Sequence, residues 1–299
     1  MQTLQTAAPD YRLAPFVRCF ASRESMLGPS CVLQPLVGSL EHILSFDFCD
    51  PTRMSYPTGV VKTFPPIQFL GAHTGLAGFA CLSGHIRSFG IFFRPFALWQ
   101  LFGIPAAELV GLECDGAAVW GSWVTELWYR LGCSRSFSER ITVSTETLLR
   151  FVGSPRPLTS IMSTARLLFP SDTSAKITQV ARESAMSIRS YERRFAYGVG
   201  FAPKEFARLA RFARAIDLRR MNKDSWLNIS HELSYYDQMH MIRDFRLLGG
   251  DAPGRLLRVD SDFQPWSIGN ALRATAKTGG VPAKTHDEKY EAADPSTRA

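Results

Sequence analysis

Eleven cations crowd into residues 176 to 220: Lys176, Arg182, Arg189, Arg193, Arg194, Lys204, Arg208, Arg211, Arg214, Arg219 and Arg220. They face only Glu183, Glu192, Glu205 and Asp217. The 299-residue chain holds 34 Lys and Arg against 27 Asp and Glu, a net charge of +7, so this one segment accounts for the whole excess. The choice of arginine carries chemistry. Its planar guanidinium offers parallel donors that match guanine O6 and N7 in the major groove, or two oxygens of a phosphate. Such clustering is what a polyanion binder needs, and a solvated basic face gives the same count.

The spacing says what must position these cations. Thr173 or Ser174 is suited to cap a helix with Ile177, Val180 and Ala181 on one face, and Ser187 to cap a second, IRSYERRFAYG. In the second, Ile188, Tyr191 and Phe195 recur at helical spacing as a buried stripe. Arg189 and Arg193 are then an outward i, i+4 pair, with Glu192 beside them and Ser190 and Arg194 flanking. Two helices across a short turn, the second with an arginine-bearing outer face, is the arrangement whose second helix lies in the major groove.

Pro203 then opens a longer helix, PKEFARLARFARAIDLRR. At helical spacing Phe206, Leu209, Ala210, Ala213 and Ile216 gather on one side, and Lys204, Arg208, Arg211 and Arg219 on the other, a stripe suited to phosphates. WLNISHEL, SYYD and QMHMIRDFRLLGG then repeat helix, turn, helix. Asp237 is placed to cap the last helix, with Met241 and Phe245 inward and Gln238, Met239, Ile242 and Arg243 outward or sideways. This second unit is electrostatically weaker, because Arg243, Arg246, Arg255 and Arg258 are matched by Glu232, Asp237, Asp244 and Asp251.

The ordered set ITQVARESAMSIRSYERRFAYGVGFAPKEFARLARFARAI and NISHELSYYDQMHMIRDFRLLGGDAPGRLLR resembles the double helix-turn-helix domain of AraC/XylS-type bacterial transcriptional regulators. The marks are RRF ending the first recognition helix, the GFAPKEF link, the RFxRA helix, and YYDQxHxxRDF followed by GxxP. APDYRLAPFVRCF, VLQPLVGSLEHILSFDFCDP, SGHIRSFGIFFRPFALWQLFGIPAAELVG and FSER are similar to the N-terminal domain of one branch of that family, so the resemblance runs from about residue 9 to 258. It implies that Arg189, Glu192 and Arg193 face bases from the first recognition helix, and Gln238, Met239 and Arg243 from the second. The two helices would enter successive major grooves about one turn, or ~34 Å, apart. The sequence departs from the family where Ala185 and Ser234 replace the usual turn glycines, and where Ser230 stands for a small alanine.

Before residue 150 the character differs. Short apolar runs such as CVLQPLVG, LEHILSFDF, PPIQFLGAH and GFACLSG, punctuated by Gly and Pro, read as strands. The partial alternation in residues 41 to 48 fits strands covered on both faces. Helical spacing follows in PFALWQLFG, PAAELVG, residues 121 to 132 and residues 137 to 151. The expectation is an α+β chain with three parts: a β-rich, barrel-like regulatory domain over 1–150, an all-α domain with two helix-turn-helix units over 151–259, and a polar tail over 260–299 too poor in apolar residues to order.

Other chemistry is weaker. His42, His73 and His85 with Glu41 and Asp47 lack the spacing of a metal site, and Ser83-Gly84-His85 lacks a nucleophile's GxSxG context. No phosphate-cradling glycine motif is present, so no catalytic residue, metal or cofactor is expected. An effector pocket would draw on His42, Phe89, Phe93 and Arg94 within the aromatic cluster that also holds Phe92, Phe96, Trp99 and Phe102; the same aromatics equally fill a core. Trp120, Trp123 and Trp128 with Leu127 and Leu131 are either core or a homodimerising face. The six cysteines, without a CxxC pair, read as reduced and mostly buried. With no signal-like N-terminus and no uninterrupted apolar span, the cytoplasm is the default and no membrane partner is expected.

The expectation is a DNA-binding regulator. Arg189 and Arg193 would read bases of double-stranded DNA. Lys204, Arg208, Arg211, Arg194 and the helix end at Ser187 would hold phosphates. A small-molecule effector, and RNA polymerase in the case of an activator, complete the partners. The alternative is a small-molecule-binding protein or enzyme whose helical half is scaffold.

Overall fold

The computed structural model describes residues 2–153, 179, 181–183, 185–222 and 224–257. The described residues up to 115 carry ten strands on two open sheets. Sheet A runs in the order β1 (Gln2–Ala7), β2 (Val17–Met26), β9 (His85–Phe93), β4 (His42–Asp47), β7 (Ile67–Leu70), β10 (Glu113–Asp115), with every pairing antiparallel. Sheet B runs β3 (Val32–Leu36), β8 (Gly78–Leu82), β5 (Arg53–Ser55), β6 (Val61–Thr63). The sheets do not close, so the expected β-rich domain is present and barrel-like only loosely.

Sheet A is covered on both faces, which is why its strands alternate in chemistry rather than in burial. All six residues of β4 are buried. Leu44 and Phe46 join the apolar core with Phe20, Phe89, Ile91 and Phe93. Ser45 and Asp47, one position out of phase, point to the opposite face, toward sheet B. The first face is roofed by α1 (Ala97–Phe102), α2 (Gly116–Trp120), α3 (Ser122–Cys133) and α4 (Phe137–Val152). Ser136 caps α4 by accepting from Glu139 N at 3.1 Å. The tryptophan stripe is interior. Trp120, Leu127 and Leu131 are buried, Trp123 stacks on Phe102, and Trp128 Nε1 donates to the Asp47 carbonyl at 2.9 Å. The thiols are more exposed than their sequence suggests: Cys31, Cys49 and Cys133 are exposed, and only Cys19 is fully buried.

The helical half comprises α5 (Ile188–Val199), α6 (Pro203–Asn222), α7 (Trp226–Glu232), α8 (Gln238–Gly249) and the short α9 (Pro253–Leu256). One core cluster unites this half with the β domain, since Val37, Leu40, Ala72 and Phe96 pack with Phe206, Leu209, Phe212 and Leu248. Trp99 meets Tyr197 edge to face at 6.1 Å, and Gly38 N donates to the Leu248 carbonyl at 2.7 Å. The capping residues Thr173 and Ser174, the start of the helical domain and the tail expected over 260–299 lie outside the described residues. No helix among the described residues is long and apolar enough to cross a membrane.

Candidate nucleic-acid interface

Two turns with the same hydrogen bonds set the two recognition helices. In the first unit, residues 181–183 are helical, Ala185 takes φ 51°, Ala185 N donates to Arg182 O and Met186 N to Ala181 O, both at 3.0 Å. In the second, Ser234 takes φ 55°, Ser234 N donates to His231 O at 3.1 Å and Tyr235 N to Ser230 O at 3.0 Å. This is the Schellman pattern, which normally places glycine at the left-handed position. The second helix of each unit is then capped by a side chain. Ser187 Oγ accepts from Ser190 N at 3.2 Å and Asp237 Oδ1 from His240 N at 2.6 Å.

In α5, Tyr191, Phe195 and Val199 are buried, and Arg189, Arg193 and Arg194 are exposed with Glu192 half-buried between them. Ile188 does not join the stripe; it is 48% exposed at the helix start. None of Arg189, Arg193, Arg194 and Lys204 forms an ion pair within 4.0 Å among the described residues. In α8, Met241 and Phe245 are buried, and Gln238, Met239 and Arg243 are exposed. The sequence-derived base-facing residues therefore share the outer faces of two capped helices. Ser230, 2% exposed, fits the packed position by turning its hydroxyl back to the Leu227 carbonyl at 2.7 Å.

The connecting helix α6 corrects the picture of a free basic stripe. Arg208 pairs with the buried carboxylate of Asp244 on α8 at 3.4 Å, Arg211 lies over the Tyr235 ring at 5.2 Å, and Arg219 lies over Trp226 at 5.5 Å and donates to the Asp224 carbonyl at 2.6 Å. Three of its cations thus turn toward the second unit, and only Lys204 of the expected stripe stands clear. Burial pushes the Asp244 carboxyl above the ordinary range, with Arg208 opposing. At ~1.5 Å per residue the 20 residues of α6 span about 30 Å, comparable to one turn of duplex.

The residues expected at an effector pocket adjoin one another on β4 and at the end of β9, but none of them lines the cavity between the two sheets. Phe89 and Phe93 are fully buried in the core beneath the helices. His42 stands opposite Phe93 in the sheet and accepts from Ala72 N at 3.3 Å; Arg94 donates to the Ala14 carbonyl at 2.8 Å. A cavity opens instead between the sheets, lined by Arg23, Gln34, Ser45, Asp47, Gln68 and Ser88 with a facing apolar wall. The signal in the sequence was small: polar Ser45 and Asp47 alternate with apolar residues inside a strand that reads as buried. Among the described residues no cluster of His, Cys, Asp and Glu is arranged to hold a metal.

Comparison with known proteins bears on both halves. Residues 180–258 match a helix-turn-helix domain family, and residues 5–115 match a domain of unknown function, DUF6597. Among solved structures, apo ToxT from Vibrio cholerae strain SCE256 is similar at 11% identity, covering 81% of this chain and 98% of that one, with a TM-score of 0.46. An unsaturated fatty acid bound ToxT from the same strain is similar at 8% identity, covering 88% and 96%, with a TM-score of 0.40. The AraC-like transcriptional activator CuxR is similar at 14% identity over 72% of this chain and 87% of that one, with a TM-score of 0.25. No curated protein matches the chain.

Proposed function

We propose that the chain, whose residues 180–258 match a helix-turn-helix domain family, is an AraC/XylS-type transcriptional regulator that reads a specific DNA site with α5 and α8 in successive major grooves. The observation that carries the reading is the pair of identically built, side-chain-capped helices, one with Arg189, Arg193 and Arg194 exposed and without an ion-pair partner among the described residues. Exposed, unpaired guanidiniums give up little on meeting a polyanion, whereas paired ones must first break a contact.

The proposed division of labour is supported by which cations are exposed and which have partners within the chain. Arg189 and Arg193 read base edges, with Glu192 at their side; Lys204, Arg194 and the amides at the Ser187 end of α5 hold phosphates. Gln238, Met239 and Arg243 read the second groove. Arg208 and Arg211 act chiefly as braces that fix the second unit on α6. Selection of duplexes from a random pool, followed by titration of the winner and a scrambled duplex at two salt concentrations, tests the reading. An enriched site with a preference that survives added salt is expected; uniform weak binding would overturn sequence-specific recognition.

The regulator responds to an effector through the β domain, which shares one apolar core with the DNA-reading half. A ligand that alters the β3 and β7 walls is felt at Gly38 and Ala72, which adjoin those strands and pack against the helical half. Dimer formation and contact with RNA polymerase complete the proposal, tested by light scattering and by transcription in a reconstituted system.

A further inference from the structure

The two recognition helices are built to one register. Each holds 12 residues after its capping side chain and ends at a left-handed glycine, Gly200 at φ 93° and Gly250 at φ 83°. The fourth and eighth residues of each are buried, Tyr191 and Phe195 in α5, Met241 and Phe245 in α8. The third and fifth are half-buried in both helices, and the second and sixth are exposed. The outer faces thus correspond residue for residue, and they differ in chemistry alone.

The second position holds Arg189 in α5 and Met239 in α8, the fifth Glu192 and Ile242, and the sixth Arg193 and Arg243. At about 100° per residue the second and sixth positions point within about 40° of each other, opposite the buried stripe, with the fifth about 60° to one side of the second. Residues in the first turns of a recognition helix are those that meet base edges. There the first helix offers two guanidiniums flanking a carboxylate. The second offers one guanidinium, Arg243, which forms no ion pair within 4.0 Å among the described residues, beside two apolar side chains. Met239 is 51% exposed and does not belong to the apolar core of the helical half, so packing within the chain does not account for it. Its uncovered area is removed from water only by contact with another apolar group.

The four bases offer one apolar group to the major groove, the 5-methyl of thymine. Guanine offers O6 and N7, which suit arginine, and cytosine offers an amino donor, which suits a carboxylate. Resting on the DNA-reading function proposed above, we infer that the two halves of the operator differ in kind. Under α5 stand guanines that meet Arg189 and Arg193. Under α8 stands a thymine whose 5-methyl group packs on Met239 and Ile242, beside a guanine that meets Arg243.

Uracil in place of thymine removes the methyl group and nothing else. In the duplex enriched from the random pool, each thymine is replaced in turn by deoxyuridine, and the affinity of the full chain is measured. One replacement is expected to weaken binding roughly fourfold, the worth of one buried methyl, and to make no further difference to Met239→Ala, which has already lost the contact. Met239→Arg rebuilds the outer face of the first helix, and a repeated selection is expected to return guanine where that thymine stood. Thermal melts matching the parent chain are expected for both variants, since the side chain they alter is exposed. An enriched duplex in which every thymine tolerates the loss of its methyl, or in which the loss weighs equally on the parent chain and on Met239→Ala, overturns the assignment of Met239 and leaves DNA recognition standing. A pool with no enriched duplex overturns DNA recognition itself, and this inference with it.

Discussion

Gly38 N donates to the carbonyl of Leu248 at 2.7 Å, which ties the chain just beyond β3 to the last turn of the second recognition helix. The contact needs glycine for space. A Cβ there would lie 2.9 Å from Leu209 Cδ2, 3.3 Å from the Leu248 carbonyl and 3.4 Å from that of His73. Two of these neighbours are backbone and have little room to give. Gly38→Val should therefore cost about 1 to 3 kcal/mol of stability, the usual penalty of overpacking. A thermal melt reads the loss, and unchanged stability would mean that the two halves do not depend on this seam.

The two recognition faces should separate by mutation. Arg193→Ala is expected to lose about 1 to 3 kcal/mol of discrimination at one base position and to relax preference there. Lys204→Ala should weaken all duplexes alike and lower the slope of log K against log salt by about 1. Equal, sequence-independent losses from both would refute the assignment of Arg193 to bases.

Ala185 and Ser234 hold left-handed backbone in the paired turns, where a side chain costs roughly 1 to 2 kcal/mol relative to glycine. Both are exposed, so glycine removes no packing, and the entropy it adds to the unfolded chain offsets about 0.5 to 1 kcal/mol. Ala185→Gly and Ser234→Gly should each stabilise by roughly 0.5 to 1 kcal/mol in denaturant titration. Destabilisation would show that the turns are not strained.

The helical half was legible because local rules and tertiary structure agree there. Ser187 and Asp237 cap where they stand in sequence, and Tyr191, Phe195, Met241 and Phe245 bury as their spacing requires. The connecting helix was only partly legible, for a physical reason. Its sequence shows one apolar face, but α6 is wrapped by both the β domain and the second unit, so Phe212, Ala215 and Leu218 are buried too and Arg208, Arg211 and Arg219 turn to internal partners. The strand β1, QTLQTA, has little apolar pattern because it sits at the edge of sheet A and its place is set by pairing with β2. The cavity escaped notice because its polar residues come from separate strands, and only the register brings Arg23 and Asp47 to the two sides of Ser88.

His42 is fully buried beside Phe69, and burial, reinforced by neighbouring His73, pushes its pKa down to about 3 from an ordinary 6.5. The native state therefore resists a proton that the unfolded chain takes up readily. The stability this neutrality confers is complete above pH 6.5 and is lost as pH falls toward 3, with a slope of about 1.4 kcal/mol per pH unit once the unfolded imidazole is protonated. Asp47 and Asp244, raised by burial, tilt the curve the other way above the normal carboxylate range, so the histidine's share must be isolated by difference. His42→Gln keeps an acceptor for the Ala72 amide, which His42 Nδ1 now receives at 3.3 Å, and removes the titrating group. Urea unfolding of both chains between pH 7 and pH 5 should show the wild type losing stability faster than the variant as pH falls; parallel curves would mean that His42 titrates normally and is reached by solvent.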